Sequence, residues 1–564
     1  MTPLIAPSLQ GYRRAWVRRD LIAGATVWAV LVPECLAYAT IAGVPPVVGL
    51  YAAVPALVLY ALIGSSRHLV VGPMAATAAL SAGVIADFGS TGLDPVALTT
   101  ALAVTVGLVA IVAGAFRLGF LASFISEPVL KGFIVGLAMT IAVGQLPKLF
   151  GIEKGEGDFF AQLWHLVTHL GDADLLSTAV GLGTLALVLA LRRWLPRVPG
   201  SLAAVALAIG AVWTFGLDSA GVDVVGPITA GLPPFGLPSV PVSTYLQLVG
   251  GALGVALVGF AEGLGAAKTY AARHGYEVDA NRELLGLGAA NLGSGLAAGM
   301  VVNGSLSKTA VNGSAGARTE ASGLVAAVLT VLTLLFLTAL FTRLPEPALA
   351  AIVIAAVVEL IDVGALVVLY RMWTRRLGAI YGLAARADFA AAIAAMLGVL
   401  VFDTLPGLFI GIVLSLLLLL HRASRPHVAE LGRAPTGNDL WVDRERHEEA
   451  TTADGVVVVR VEGGLFFADA DHVRDALQAL ARRPGVHAVV LDARSVPFVD
   501  VTAARMLVGL VASLETTGVE LVVARDIGQV RDVLRETDGA RPRVFGEVDE
   551  AVAALVLEKG TDHG

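Results

Sequence analysis

Residues 21–42, 246–260, 325–340 and 392–401 are almost wholly apolar, and they limit this chain more than any other feature. Runs of this kind span, or partly span, a bilayer about 30 Å thick. Backbone groups inside hydrocarbon must satisfy one another, which makes helices the expected form. The composition agrees: 56% of the 564 residues are hydrophobic and 15% charged, with a mean hydropathy of +0.78. The apolar part ends at Leu420, and the remainder has an ordinary soluble composition. The net charge of −7 pools these two unlike regions and decides little. Cys35 is the single cysteine, which excludes an intramolecular disulfide and any multi-cysteine metal site. Arg13, Arg14, Arg18, Arg19 and Asp20 precede an apolar run too long for a cleavable signal peptide, so none is expected.

Polar and Gly/Pro punctuation divides the apolar region into about fourteen segments, beginning near Leu21, Val47, Pro73, Val96, Pro128, Leu175, Gly200, Leu246, Glu283, Ser305, Ala321, Pro347, Asp388 and Leu405. Those near Pro73 and Ser305 are short enough to be half-helices. With the N-terminus inside, the inner connections carry Arg67, Arg117, Arg192, Arg193, Arg197, Arg273, Arg282, Arg318, Arg371, Arg375, Arg376, Arg386, Arg422 and Arg425. The outer ones carry only Lys148, Lys154 and Arg343. A missed span would scramble that asymmetry, so both termini are expected in the cytoplasm.

One polar stretch stands out within the apolar region: Asn303-Gly304-Ser305-Leu306-Ser307-Lys308-Thr309. Lys308 is one of six lysines in the chain. A charge at the bilayer centre costs about 2.5–3.5 kcal/mol on insertion scales, which argues for a use. Asn303-Gly304-Ser305 can start a helix, whose first N–H groups carry partial positive charge beside Lys308. The stretch reads as an anion site inside the membrane. Val70-Val71-Gly72-Pro73 also precedes a short helix, and Val301 repeats the pattern about 231 residues later. At nearly the same offset Pro33-Glu34 answers Ala261-Glu262. Seven spans per half is odd, so the halves insert in opposite senses, and paired interrupted helices point to a substrate site at the midplane.

Further motifs follow in order: Pro33-Glu34-Cys35-Leu36-Ala37-Tyr38-Ala39, Pro46-Val47-Val48-Gly49-Leu50-Tyr51, Val71-Gly72-Pro73, Val225-Gly226-Pro227-Ile228-Thr229-Ala230-Gly231-Leu232-Pro233, Ala267-Lys268-Thr269-Tyr270-Ala271, and 281–291 opening Asn281-Arg282-Glu283-Leu284. With them the chain resembles the SulP anion permeases, relatives of the mammalian solute-carrier anion exchangers and prestin. The resemblance implies a seven-plus-seven inverted repeat forming a core and a gate domain, elevator-type movement of the core, and a homodimer. It places the anion against Pro73, Met74, Ala75, Ser305, Leu306, Ser307 and Lys308. Lys308 stands where many members carry Arg, exchanging a planar fork for a point charge. Glu34 stands where many carry Gln, which puts a carboxylate beside the site.

Lys308 reads as an anion ligand or as a charge tied to a carboxylate such as Glu262. Glu34 reads as a proton carrier or as a water-facing residue. Glu262 has the same two readings, with a sodium site as a third. Ser305, Ser307 and Thr309 could bond an oxyanion or simply the backbone. Tyr38 and Tyr51 read as packing residues, and Arg67, His68 and the arginines at 371–376 as topology signals.

From residue 440 short strands alternate with amphipathic helices: strands at 455–462, 488–492, 520–524 and 542–545, helices at 470–481, 501–514, 528–536 and 549–557. Gly463-Gly464-Leu465-Phe466-Phe467-Ala468-Asp469-Ala470 and the stretch Val490 to Asp500 resemble a STAS domain, the fold of anti-sigma-factor antagonists. Thr502 occupies the position those antagonists phosphorylate, but the second hydroxyl and the glycine are missing. It is a candidate regulatory phosphosite, set against Asp500 as a simple helix cap in a docking or dimer-stabilising module.

The expected organisation is a cytoplasmic segment at 1–20, a transmembrane anion transporter domain at 21–421, a linker at 422–439 and a cytoplasmic STAS domain at 440–564. The expected activity is uptake of a small oxyanion, sulfate before others, by proton symport across the plasma membrane. Alternatives are a bicarbonate or dicarboxylate carrier coupled to protons or sodium, an anion exchanger, a passive channel, and a membrane-anchored STAS signalling protein. No nucleophile–base pair is visible, and no enzyme activity, cofactor, metal or nucleic-acid partner is expected. A cytoplasmic partner of the STAS domain is left open. Sulfate, bicarbonate, chloride and fumarate would all suit backbone N–H groups, hydroxyls and one ammonium.

Overall fold

The computed structural model describes residues 6–86, 88–89, 92–120, 126–195, 198–228, 230–358, 361, 364, 367, 378–402, 404–435, 440–526 and 528–561. Arg197, Thr229, Arg371, Arg375 and Arg376 lie outside that set, and of Arg386 only the backbone is described. The chain divides into two compact units, Met1–Ser415 and Leu416–Gly564.

The first unit is helical. Its elements are α1 (Val17–Ile41), α2 (Val47–Ile63), strand β1 (Val70–Gly72), α3 (Ala75–Ala86), α4 (Pro95–Ala115), α5 (Glu127–Phe150), α6 (Phe159–Thr168), α7 (Leu175–Trp194) and α8 (Gly200–Phe215). Then come α9 (Val242–His274), α10 (Ala280–Leu296), β2 (Asn303–Ser305) and α11 (Leu306–Ser314). A helix α12 covers Ala321–Phe341, with a π-helical turn at Thr333–Leu337. The unit continues with α13 (Glu346–Val358), α14 (Gly378–Phe402) and the first part of α15 (Thr404–Ala423), whose residues from Leu416 onward fall in the second unit. All fourteen apolar segments fall on these helices. α6 is an additional helix outside the fourteen segments; it is too short to span and leaves Phe160 and Trp164 exposed. At 33 residues α9 is about 50 Å long, more than the hydrocarbon needs.

Starts and stops follow local chemistry. Asp94, Asp158, Asp174 and Asp279 each cap a helix through their carboxylates. Small residues let the helices meet closely. A Cβ on Gly49 of α2 would sit 2.0 Å from the Cys35 carbonyl of α1, and one on Gly107 of α4 would collide with the backbone of α10 at Leu292. Two buried carboxylates near helix ends are well bonded. Glu283 accepts from Tyr60 Oη (2.6 Å), from Ser65 N and Oγ and from Ser66 N. Asp20 accepts from the backbone of Arg318 and from Thr319 Oγ1. His68, read as a topology signal, is buried and stacks on His274 with centroids 4.2 Å apart.

The central feature is the pairing of β1 with β2. The two strands run antiparallel with Val70 opposite Ser305, Val71 opposite Gly304 and Gly72 opposite Asn303. Each strand leads directly into a short helix, so the N-termini of α3 and α11 are brought together from opposite directions.

The second unit holds a six-stranded sheet in the order β4-β3-β5-β6-β7-β8. Its strands are β3 (Val428–Arg433), β4 (Trp441–Asp443), β5 (Val456–Val461), β6 (Ala488–Asp492), β7 (Glu520–Ala524) and β8 (Arg543–Phe545). The helices are α16 (Ala470–Ala481), α17 (Val501–Glu515), α18 (Gly528–Glu536) and α19 (Val548–Thr561). Alternate β5 residues face two cores: Val459 and Val461 pack with Val473, Leu477 and Leu507, Val456 and Val458 with Val522 and Leu555. β3 pairs antiparallel with β5. The sheet therefore begins inside 422–439, the stretch read as a linker.

Candidate functional site between the two half-helices

Ser305 ends β2 in an extended conformation, and its Oγ accepts from Lys308 N at 3.3 Å, which starts α11. The cap is thus Ser305, whereas Asn303 and Gly304 belong to the strand. Asn291 of α10 fixes the approach to β2, donating to Val302 O and accepting from Val302 N, both at 2.9 Å. Thr309 donates to Ser305 O at 2.5 Å and accepts from Val70 N at 3.0 Å. Its hydroxyl is thereby committed to the backbone and joins the two strand–helix units.

Lys308 lies in the first turn of α11 with its side chain 1% exposed. The ammonium donates to the Pro73 carbonyl at 2.9 Å, so one side chain bridges the entrances of both half-helices. Its charge partner is Glu34 of α1, with Nζ 2.9 Å from Oε2. The alternative of a pair with Glu262 is not what forms. Glu34 Oε2 is buried and has no directed hydrogen bond, so the ion pair is a charge contact without hydrogen-bond geometry. Tyr38, one turn beyond Glu34 on the same face of α1, lies under the ammonium with Nζ 5.0 Å from its ring centroid. Tyr38, which reads from the sequence as a packing residue, thus faces the ammonium, as its i, i+4 spacing from Glu34 allows.

Pro73 and Ala75 are buried and Met74 partly so; Ser305 is buried, while Leu306 and Ser307 are exposed beside it. Ser307 Oγ lies 3.2 Å from Ser305 Oγ. Around Lys308 the structure thus gathers both helix N-termini, a hydroxyl pair, one carboxylate and one aromatic face. Glu262 sits on α9, whose Gly259 and Gly263 pack against Asn303. Glu262 Oε2 and Asn303 Nδ2 are both buried without a hydrogen-bond partner. A cavity of about 10 Å³ lies beside Asn303, Asn291 and Thr77, room for about one water. In the second unit Asp500 accepts from Ala503 N and Phe467 N, each at 2.8 Å, as a cap, and Thr502 is exposed in the first turn of α17. Among the described residues no cluster of His, Cys, Asp and Glu suits a metal ion.

Two short helices meeting at a buried lysine inside a bundle of apolar helices define a multi-pass membrane protein of the anion-transporter class, with a C-terminal STAS domain. Residues 17–385 match the sulfate permease family and residues 448–551 the STAS domain. The chain belongs to the sulfate permease family. A probable sulfate transporter of Mycobacterium tuberculosis is 38% identical over 527 residues, covering 93% of this chain and 92% of that one. Sulfate transporter 1.3 of Arabidopsis thaliana is 30% identical over 577 residues, covering 96% and 85%. Among solved structures, the murine solute carrier 26 family member A9 anion transporter in its inward-facing state superposes with a TM-score of 0.86 at 22% identity, covering 98% of this chain and 93% of that one. The transmembrane domain of a cyanobacterial bicarbonate transporter gives 0.60 at 24% identity, covering 69% and 98%. These structural likenesses speak for the fold. The relatives are transporters and not enzymes.

Proposed function

We propose that this protein carries sulfate into the cell with a proton, through a site centred on Lys308. The observation that carries the reading is the 2.9 Å contact between Lys308 Nζ and a Glu34 Oε2 that lacks a directed hydrogen bond. While Glu34 is ionised, the pair is neutral and the ammonium is occupied. A proton on Glu34 removes the competitor and leaves a net positive charge facing the backbone N–H groups of α3 and α11. An oxyanion then binds to Lys308, to the N-termini beginning at Ala75 and Leu306, and to the hydroxyls of Ser305 and Ser307. Pro73 and Met74 shape the entrance. Loss of the proton on the other side returns Glu34 to Lys308 and expels the anion.

In this reading the helices that carry the site move as an elevator against the rest of the membrane domain, in a homodimer in the plasma membrane with both termini cytoplasmic. The STAS domain is a cytoplasmic docking module, with Thr502 as a candidate phosphosite. Sodium coupling is the second reading, favoured by the unpartnered Glu262 Oε2 on the helix behind β2. Uptake of radiolabelled sulfate into proteoliposomes, with and without an inward proton gradient and with bicarbonate, chloride, fumarate and succinate as competitors, tests the proposal. Accumulation that follows the proton gradient supports it. Accumulation that follows only a sodium gradient transfers coupling to Glu262, and flux of another anion alone replaces the substrate.

A further inference from the structure

About six residues beyond Glu34, or roughly 9 Å along α1, a cavity opens on the face of the membrane domain opposite the start of that helix. It measures about 290 Å³, is open to one side, and is lined by residues that include Thr40, Gly43, Pro46, Val225, Lys148 and Glu346. Lys148 stands in the last turn of α5 and Glu346 in the first turn of α13, 3.1 Å apart, each side chain 37% exposed. Each charge is favoured by its own helix end, cation at the C-terminus and anion at the N-terminus. The position of Glu346 is fixed by a short ladder, with Glu346 N donating to Asp223 O at 2.9 Å and Val225 N donating to Leu344 O at 3.0 Å. This gives Val225, the first residue of the Val-Gly-Pro motif, a role: it lines one wall of the cavity.

An ammonium has three donors. An ion pair this exposed is worth about 0–1 kcal/mol, so a doubly charged anion can compete for Lys148. The cavity is large enough for a hydrated small anion, at about 30 Å³ per water. We propose that it is an entry site for a small oxyanion, with Lys148 as the anion ligand and Glu346 as the counter-charge that sends the anion onward. The proposal rests on the transport reading above for its direction, inward from the outer face.

The test uses full-length protein in proteoliposomes. A membrane-impermeant amine-acylating reagent is applied with sulfate or with gluconate at matched ionic strength, and modification is read by mass spectrometry. Sulfate is expected to slow acylation of Lys148 by about threefold, while exposed Lys154 serves as the reference. In parallel, Lys148→Ala and Lys148→Gln are expected to raise the apparent KM for outside sulfate about 3- to 5-fold. The KM for sulfate presented from the inner face should not follow, and Glu346→Gln should lower the outside KM. Equal acylation in both salts, or an outside KM untouched in folded variants, overturns the site. Protection of Lys148 without any sulfate uptake supports the site and overturns the symport reading instead.

Discussion

The Lys308 ammonium is held at 2.9 Å by both the Glu34 carboxylate and the Pro73 carbonyl. One buried cation therefore links α1, the entrance of α3 and the first turn of α11. Removing either charge exposes the other to the cost of an unpaired ion in low dielectric.

Lys308→Ala should abolish high-affinity sulfate uptake and also destabilise the membrane domain by about 3–5 kcal/mol, the usual cost of orphaning one member of a buried pair. Adding Glu34→Gln should restore most of the stability without restoring uptake. Thermal unfolding in detergent beside uptake assays separates the two effects. A single variant with unchanged uptake contradicts the assignment of Lys308.

Glu34→Gln keeps a side chain of similar shape but has no proton to give up. Sulfate should still bind, while acceleration by an inward proton gradient disappears. Full gradient dependence in this variant would move coupling to Glu262.

Tyr38 offers a sharper probe of the ammonium. A desolvated cation–π contact contributes about 2 kcal/mol, so Tyr38→Leu should raise the apparent KM by up to about 30-fold. Tyr38→Phe should stay close to the parent. Equal effects of both variants would show that the hydroxyl, and not the ring face, is what matters.

Glu430 in β3 accepts from Arg483 at 2.7 Å and is paired with Arg444. Burial alone would raise its pKa, but hydrogen bonds and charges from Arg483 and then Arg444 outweigh it and hold the carboxyl below the ordinary glutamate range. A carboxylate depressed by folding adds stability that is complete above the unfolded value, about 4.3, and is lost as pH falls through the folded one. Protection of the β3 amides against hydrogen exchange, taken relative to the intrinsic rate at each pH, should therefore fall on acidification below about pH 4.3, and Glu430→Gln should flatten that response. An identical acid response in the variant would contradict it.

Much of this was legible in the sequence because hydrocarbon enforces simple rules. Length and apolar runs mark the fourteen segments, and the lone lysine flanked by apolar helices marks the candidate site. What escaped depends on partners distant in sequence. The Glu34–Lys308 contact joins residues on α1 and α11, and Glu262, at the repeat-related position, was an equally fair partner on letters alone. The short strands at 70–72 and 303–305 carry no alternation to reveal them, since both are buried throughout. α6 is not legible as a span because ten residues are too few to cross a bilayer. β3 is not legible from composition, because it lies upstream of the compositional change at residue 440 and depends on pairing with β5.

The most direct test measures proton and sulfate movement together. Proteoliposomes containing the protein and a luminal pH indicator are given external sulfate, with radiolabel followed in parallel and no preset pH gradient. The lumen should acidify as sulfate enters, and Glu34→Gln should take up sulfate without that acidification. Sulfate uptake by the parent protein with no change in luminal pH would contradict proton coupling through the Glu34–Lys308 pair.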